Sequence, residues 1–172
     1  AGSGGFQDPL ALTTSGALNL DVGDINGDGK MDIVSAGGTS ISVMIGNGNG
    51  TFKTPTVSTV STANSLFQPA VLDVNGDGAK DVVVTDKGTG KLHVLLGNAN
   101  GTFKASVDYT LTQASYDITI ADMNNDGISD VVMGSYPNTI IQVLLGNNDG
   151  SFKAETTFTK PSASGFLLAT VG

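Results

Sequence analysis

The sequence contains no cysteine, no tryptophan and no arginine, and only one histidine. Without cysteine there are no disulfides, no zinc–thiolate sites and no thiol nucleophile. Without arginine the chain has no bidentate phosphate fork, and its eight lysines are scattered rather than gathered on one stretch. Nucleic acid is therefore excluded as a partner class, since phosphate backbones are met by basic faces. No apolar run approaches the roughly 18 residues needed to cross a bilayer as a helix, and the first residues show no charged-then-apolar leader. Charged residues are 14% of the chain against 39% hydrophobic, which is not the composition of a disordered chain. No segment carries an apolar 3.6-residue period of helical length.

What is present is a repeat. DINGDGKMD (24–32), DVNGDGAKD (73–81) and DMNNDGISD (122–130) place their first aspartates two steps of 49 residues apart. A second signature follows each: IGNGNGTFK (45–53), LGNANGTFK (96–104) and LGNNDGSFK (145–153). The Gly5-Phe6 pair matches the end of that signature, and FLLATVG (166–172) resembles the run that enters each acidic loop. Short apolar or alternating runs enter the loops at 17–22, 67–72 and 116–121. Runs rich in β-branched residues leave them at 32–35, 81–85 and 130–133. Further runs follow at 40–45, 91–96 and 139–145, and a last stretch opens at the phenylalanine, as in 52–60 and 103–111. Gly, Asn and Asp clusters separate them all. Four short strands per unit of about 50 residues is the pattern of a propeller blade, whereas a β-roll solenoid has a much shorter period.

Nine of the sixteen acidic residues lie in the three loops, so the net charge of −8 is concentrated there. Calcium takes six to eight oxygens, and odd positions of a tight loop bring such groups to one point. The candidate ligands are Asp24, Asn26, Asp28 and Asp32 through side chains, with Lys30 through its carbonyl. The equivalent sets are Asp73, Asn75, Asp77, Ala79 and Asp81, and Asp122, Asn124, Asp126, Ile128 and Asp130. Gly29, Gly78 and Gly127 occupy position 6, where the chain bends. Three calcium ions per chain are expected. An EF-hand sensor is excluded, because position 12 is Ser35, Val84 or Met133 instead of glutamate, and strands replace the flanking helices.

The D-x-N-x-D-G-x-x-D loop, the V-L-L-G-N-G-x-G strand end and the G-[TS]-F-K entry together resemble the FG-GAP/VCBS-type repeats of β-propellers, the kind that also build the integrin alpha-subunit head. Thr-Phe or Ser-Phe stands where that name implies Phe-Gly, which is closer to the bacterial VCBS-like branch. The resemblance implies an all-β fold of four-stranded antiparallel blades, at about 16–60, 66–111 and 116–159. It adds an outer strand at 6–14 and an inner strand at 165–171 from adjoining blades. Closed propellers have about four to eight blades, so an arc of three is expected to close by self-association or to belong to a longer propeller.

The implied function is a calcium-stabilised, non-catalytic recognition or adhesion module of a secreted or cell-surface protein, of bacterial type. A carbohydrate-binding lectin is the first alternative, and part of a propeller-containing enzyme the second. His93 aligns with Ser42 and Gln142 and reads as a structural histidine; Asp149 aligns with Asn49 and Asn100 and reads as turn chemistry. No nucleophile–base–orienter set can be assembled around one histidine. Asp86, Lys87, Tyr136 and Asn138 fall in loops expected on the face opposite the calcium loops, where a protein or glycan ligand would bind.

Overall fold

In the computed structural model, residues 19–135 and 140–159 are described. The expected strands 6–14 and 165–171, and the candidates Tyr136 and Asn138, lie outside those residues. Twelve strands follow in order: β1 (Asn19–Gly23), β2 (Asp32–Gly37), β3 (Ser40–Met44), β4 (Thr56–Thr59), β5 (Leu66–Leu72), β6 (Asp81–Asp86), β7 (Lys91–Leu95), β8 (Val107–Thr110), β9 (Thr119–Ala121), β10 (Asp130–Gly134), β11 (Ile140–Leu144) and β12 (Thr156–Thr159). They form three four-stranded antiparallel sheets, β1–β4, β5–β8 and β9–β12, each paired in sequence order. These are propeller blades standing side by side in an unclosed arc, here called the first, second and third. Among the described residues there is no helix, and so none long and apolar enough to cross a membrane.

Packing between blades explains the near-continuous apolar strands. Val82, Val83 and Val84 of β6 are all fully buried. Val82 and Val84 pack with Val34, Ile41 and Val43 of the first blade, whereas Val83 packs with Val131, Met133 and Leu144 of the third. Period-2 alternation thus feeds two separate cores from one strand. Burying each such valine contributes about 1.5–3 kcal/mol before entropic costs.

The antiparallel order places the acidic loops and the Gly-Asn turns at one end of the blades. The β2–β3 and β6–β7 loops and the connections between blades lie at the other end. Asn49, Asn100 and Asp149 shape the Gly-Asn turns, each side-chain oxygen accepting the amide two residues on, at 3.1, 3.0 and 2.9 Å.

Two boundaries differ from the sequence reading. The outermost strands begin at Thr56 and Val107, several residues after the phenylalanines. Phe52, Phe103 and Phe152 instead close the preceding turn as isolated bridges to Gly46, Gly97 and Gly146. In the first blade Pro55, lacking an N–H, stands between bridge and strand. In the third blade β9 covers only Thr119–Ala121. Ser115 Oγ lies 2.8 Å from the carbonyl oxygens of both Asp117 and Gly134, with one proton to give to either, where the chain bends ahead of the strand.

Candidate metal centre

Each acidic loop is folded around its first aspartate. Asp24 accepts the amides of Asp28 (3.0 Å) and Gly29 (2.8 Å). Asp73 accepts those of Gly76 (2.8 Å) and Gly78 (2.9 Å), and Asp122 those of Asp126 (3.1 Å) and Gly127 (2.9 Å). Asn26, Asn75 and Asn124 each turn Oδ1 onto the amide of the position-5 aspartate at 3.0 Å. Those aspartates accept the position-7 amides, Lys30, Ala79 and Ile128, at 3.0, 2.8 and 2.9 Å. The turn requires left-handed backbone at position 6, and Gly29, Gly78 and Gly127 have φ of 79°, 85° and 81°.

The position-9 aspartates behave differently. Asp32, Asp81 and Asp130 are fully buried. One oxygen of each accepts the position-2 amide of its own loop, Ile25, Val74 or Met123, at 2.8–2.9 Å. The other accepts the amide of Gly46, Gly97 or Gly146 in the neighbouring Gly-Asn turn, at 2.8, 2.7 and 2.8 Å. Each of these glycines approaches so closely that an added Cβ would overlap the carbonyl oxygen of Met31, Lys80 or Ser129. The ninth aspartate is therefore a latch between two loops as well as a candidate ligand. That role is carried in the sequence only by the recurring glycine of the second signature.

Electrostatics separate the positions. Asp77 and Asp126 are held below the ordinary carboxylate range, first by the amides of Ala79 and Ile128 and then by Asn75 and Asn124. At Asp28 desolvation acts upward, and is outweighed by the Lys30 amide, Asn26 and the Lys30 ammonium 3.3 Å away. Asp81 is pushed upward, chiefly by burial, with the charges of Asp77 and Asp73 adding to it.

Among the described residues no three His, Cys, Asp or Glu side chains stand together so that they could hold a metal ion. The donor chemistry nevertheless fits a hard cation. All side-chain donors are oxygens, and a carboxylate oxygen with one amide bond keeps a further lone pair. The mutual repulsion of Asp73, Asp77 and Asp81 is the field a divalent ion would relieve.

At the opposite end Asp86 is fully buried. It accepts the amides of Asn64, Ser65, Gly88 and Thr89 at 2.8, 2.9, 2.8 and 3.2 Å, so it organises the turn and presents nothing to solvent. Lys87 lies 4.6 Å from the centroid of Phe67 and 5.8 Å from that of Tyr116. The two rings meet edge to face at 5.5 Å across the junction of the second and third blades. Phe67 and Tyr116 open the equivalent runs FQPAVL and YDITIA. Their repeat position was visible in the sequence, but their meeting with Lys87 was not.

Repeated four-stranded blades, each with an acidic loop between its first two strands, define a propeller-type repeat protein. The chain belongs to the FG-GAP-like repeat family, which it matches at residues 24–84 and 73–133, more than half of its length. Among solved structures it is similar to an Agrocybe aegerita lectin studied for its specific recognition of non-reducing terminal N-acetylglucosamine. The identity there is 22% and the TM-score 0.53, over 81% of this chain and 37% of the lectin's. A further match, to the Tc holotoxin pore of Photorhabdus luminescens, has 18% identity and a TM-score of 0.49, over 84% of this chain and 7% of the other. The chain thus spans little more than a third of the lectin. No curated protein sequence matches it significantly.

Proposed function

We propose that the chain is a calcium-stabilised, non-catalytic recognition module of a secreted or cell-surface bacterial protein. The observation that carries this reading is the threefold recurrence of one loop. In each copy the oxygens of positions 1, 3 and 5 are bound by the loop's own amides, and a buried ninth aspartate ties it to the next turn. Asp24, Asn26, Asp28 and Asp32, with the Lys30 carbonyl, would hold one ion. Asp73, Asn75, Asp77, Asp81 and Ala79 would hold the second, and Asp122, Asn124, Asp126, Asp130 and Ile128 the third. Calcium at extracellular, millimolar levels keeps modest loops of this kind filled. The ion's part is to neutralise each carboxylate set and brace the hairpin between the two innermost strands.

Recognition is assigned to the opposite end, where Lys87, Phe67 and Tyr116 form a mixed cationic and aromatic surface and Asp86 fixes the turn beneath it. A protein ligand is the first reading. A glycan is the second, favoured by the fold shared with the N-acetylglucosamine-recognising lectin and disfavoured by the absence of tryptophan. Additional blades or a second copy would complete the ring. Calorimetric titration of chelator-stripped protein tests the metal assignment: about three calcium ions per chain support it, and no heat of binding overturns it. A glycan array read beside a protein-ligand screen separates the two recognition readings.

A further inference from the structure

His93 is fully buried on β7, and its two ring nitrogens face two different carboxylates. Nδ1 lies 2.8 Å from Asp108 Oδ1, and Nε2 lies 3.4 Å from Asp86 Oδ2. A neutral imidazole donates from one nitrogen only, so both contacts are satisfied together only by the doubly protonated ring. Lys91 Nζ, 3.2 Å from Asp108 Oδ2, supplies a second cation. Two carboxylates are thereby matched by one imidazolium and one ammonium.

Both acids also hold the connection that leads from the first blade into the second. Asp86 accepts the amides of Asn64 and Ser65, and Asp108 accepts the hydroxyl of Thr62 at 2.6 Å. We propose that His93 is a proton-operated latch on this junction, cross-tying Asp86 and Asp108 while doubly protonated and releasing the 62–65 connection when the second proton leaves. After that loss one ring nitrogen becomes an acceptor facing a carboxylate, two like-natured groups buried without a proton between them. The groups facing the ring are Asp86 from β6, Asp108 from β8 and, through Asp108, Lys91 of β7 itself.

The neighbouring junction has no titrating ring, and Ser135 and Thr157 stand where the second blade has Asp86 and Asp108. Gln142 occupies the register position of His93, each standing opposite the residue three beyond its ninth aspartate. Gln142 Oε1 accepts the Gln113 amide at 2.9 Å, and Glu155 accepts the amide and hydroxyl of Thr112 at 2.8 and 2.9 Å. Sensitivity to an imidazole's second proton is therefore expected at the junction of the first and second blades and not at the next. The inference stands independently of the calcium and ligand assignments.

The chain has one histidine, so its ring resonances are unambiguous. The experiment is an NMR titration of the uniformly 15N-labelled full chain in saturating calcium, with hydrogen-exchange protection factors measured alongside. The expected result is that protection at Asn64 and Ser65 falls at least about tenfold as the ring loses its second proton, while Thr112 and Gln113 keep theirs. In His93→Gln, which places the third blade's Gln142 side chain at this position, this step disappears. Protection at Asn64 and Ser65 that ignores the ring's titration, or a step that persists in His93→Gln, overturns the latch. The wild-type titration decides the matter alone if the variant fails to fold.

Discussion

Asp81 Oδ1 accepts the amide of Gly97 at 2.7 Å, joining two loops 16 residues apart at the same end of the second blade. Its other oxygen holds Val74 in the acidic loop at 2.9 Å. One buried carboxylate thus fixes both the loop that gathers the other carboxylates and the turn that closes beside it. This makes the ninth aspartate distinguishable from the fifth by experiment. Asp81→Asn removes an acceptor and leaves a buried amide without a partner, at a cost of about 1–3 kcal/mol. The loss should appear in urea unfolding both with calcium and with chelator.

Asp77→Asn provides the contrast. Asp77 is exposed and its bonds stay within the loop. Its substitution should leave stability in chelator within about 0.5 kcal/mol of wild type. Most of the added stability in calcium should be lost. Parallel unfolding curves for the two variants check the division of labour.

Gly97→Ala tests the close approach directly. The added methyl would overlap the Lys80 carbonyl oxygen, so backbone must shift against a buried latch. Overpacking of this kind costs about 1–3 kcal/mol. The expected change is a lower midpoint in denaturant with an unchanged slope.

Asp86 and Asp108 are both held below the ordinary carboxylate range and should both contribute acid sensitivity, and the part due to Asp86 can be tested alone. Burial acts upward on its carboxyl, but the amides of Asn64 and Ser65, together with Thr89 and Gly88, bring it from 3.8 to about 2. A depressed folded value means the stabilisation is complete above the unfolded value and fades as pH falls from about 4 toward 2. Its size is on the order of 2 kcal/mol. Stability measured against pH in wild type and Asp86→Asn checks this, the variant showing a shallower acid limb.

The blade count and strand order were legible because their signals are local. Asp-x-Asn-x-Asp-Gly and Gly-Asn-x-x-Gly-x-Phe occur within a few residues and recur in register, so each announces a turn with a mechanism. The latches were not legible. Asp81 to Gly97, Asp86 to Asn64 and Asp108 to Thr62 join segments whose meeting depends on how strands pair and blades abut. Asp86 illustrates the difference: a polar residue in a loop reads as exposed until four backbone amides are found converging on it. His93 was legible as structural from its alignment with Ser42 and Gln142. The two carboxylates around it were not, because Asp108 reaches it from β8 across the strand pairing. The shortened β9 arises likewise from Ser115 bonding to Gly134, a partner in another strand.

The central claim is that calcium in three acidic loops braces the hairpin between the two innermost strands of each blade. Its most direct test is thermal unfolding of the chain in millimolar calcium and in excess chelator. Each filled site should add about 1.4 kcal/mol for every tenfold of free calcium above its Kd, so the melting temperature should climb with calcium and fall on chelation. A melting curve that is the same in both conditions would contradict the account.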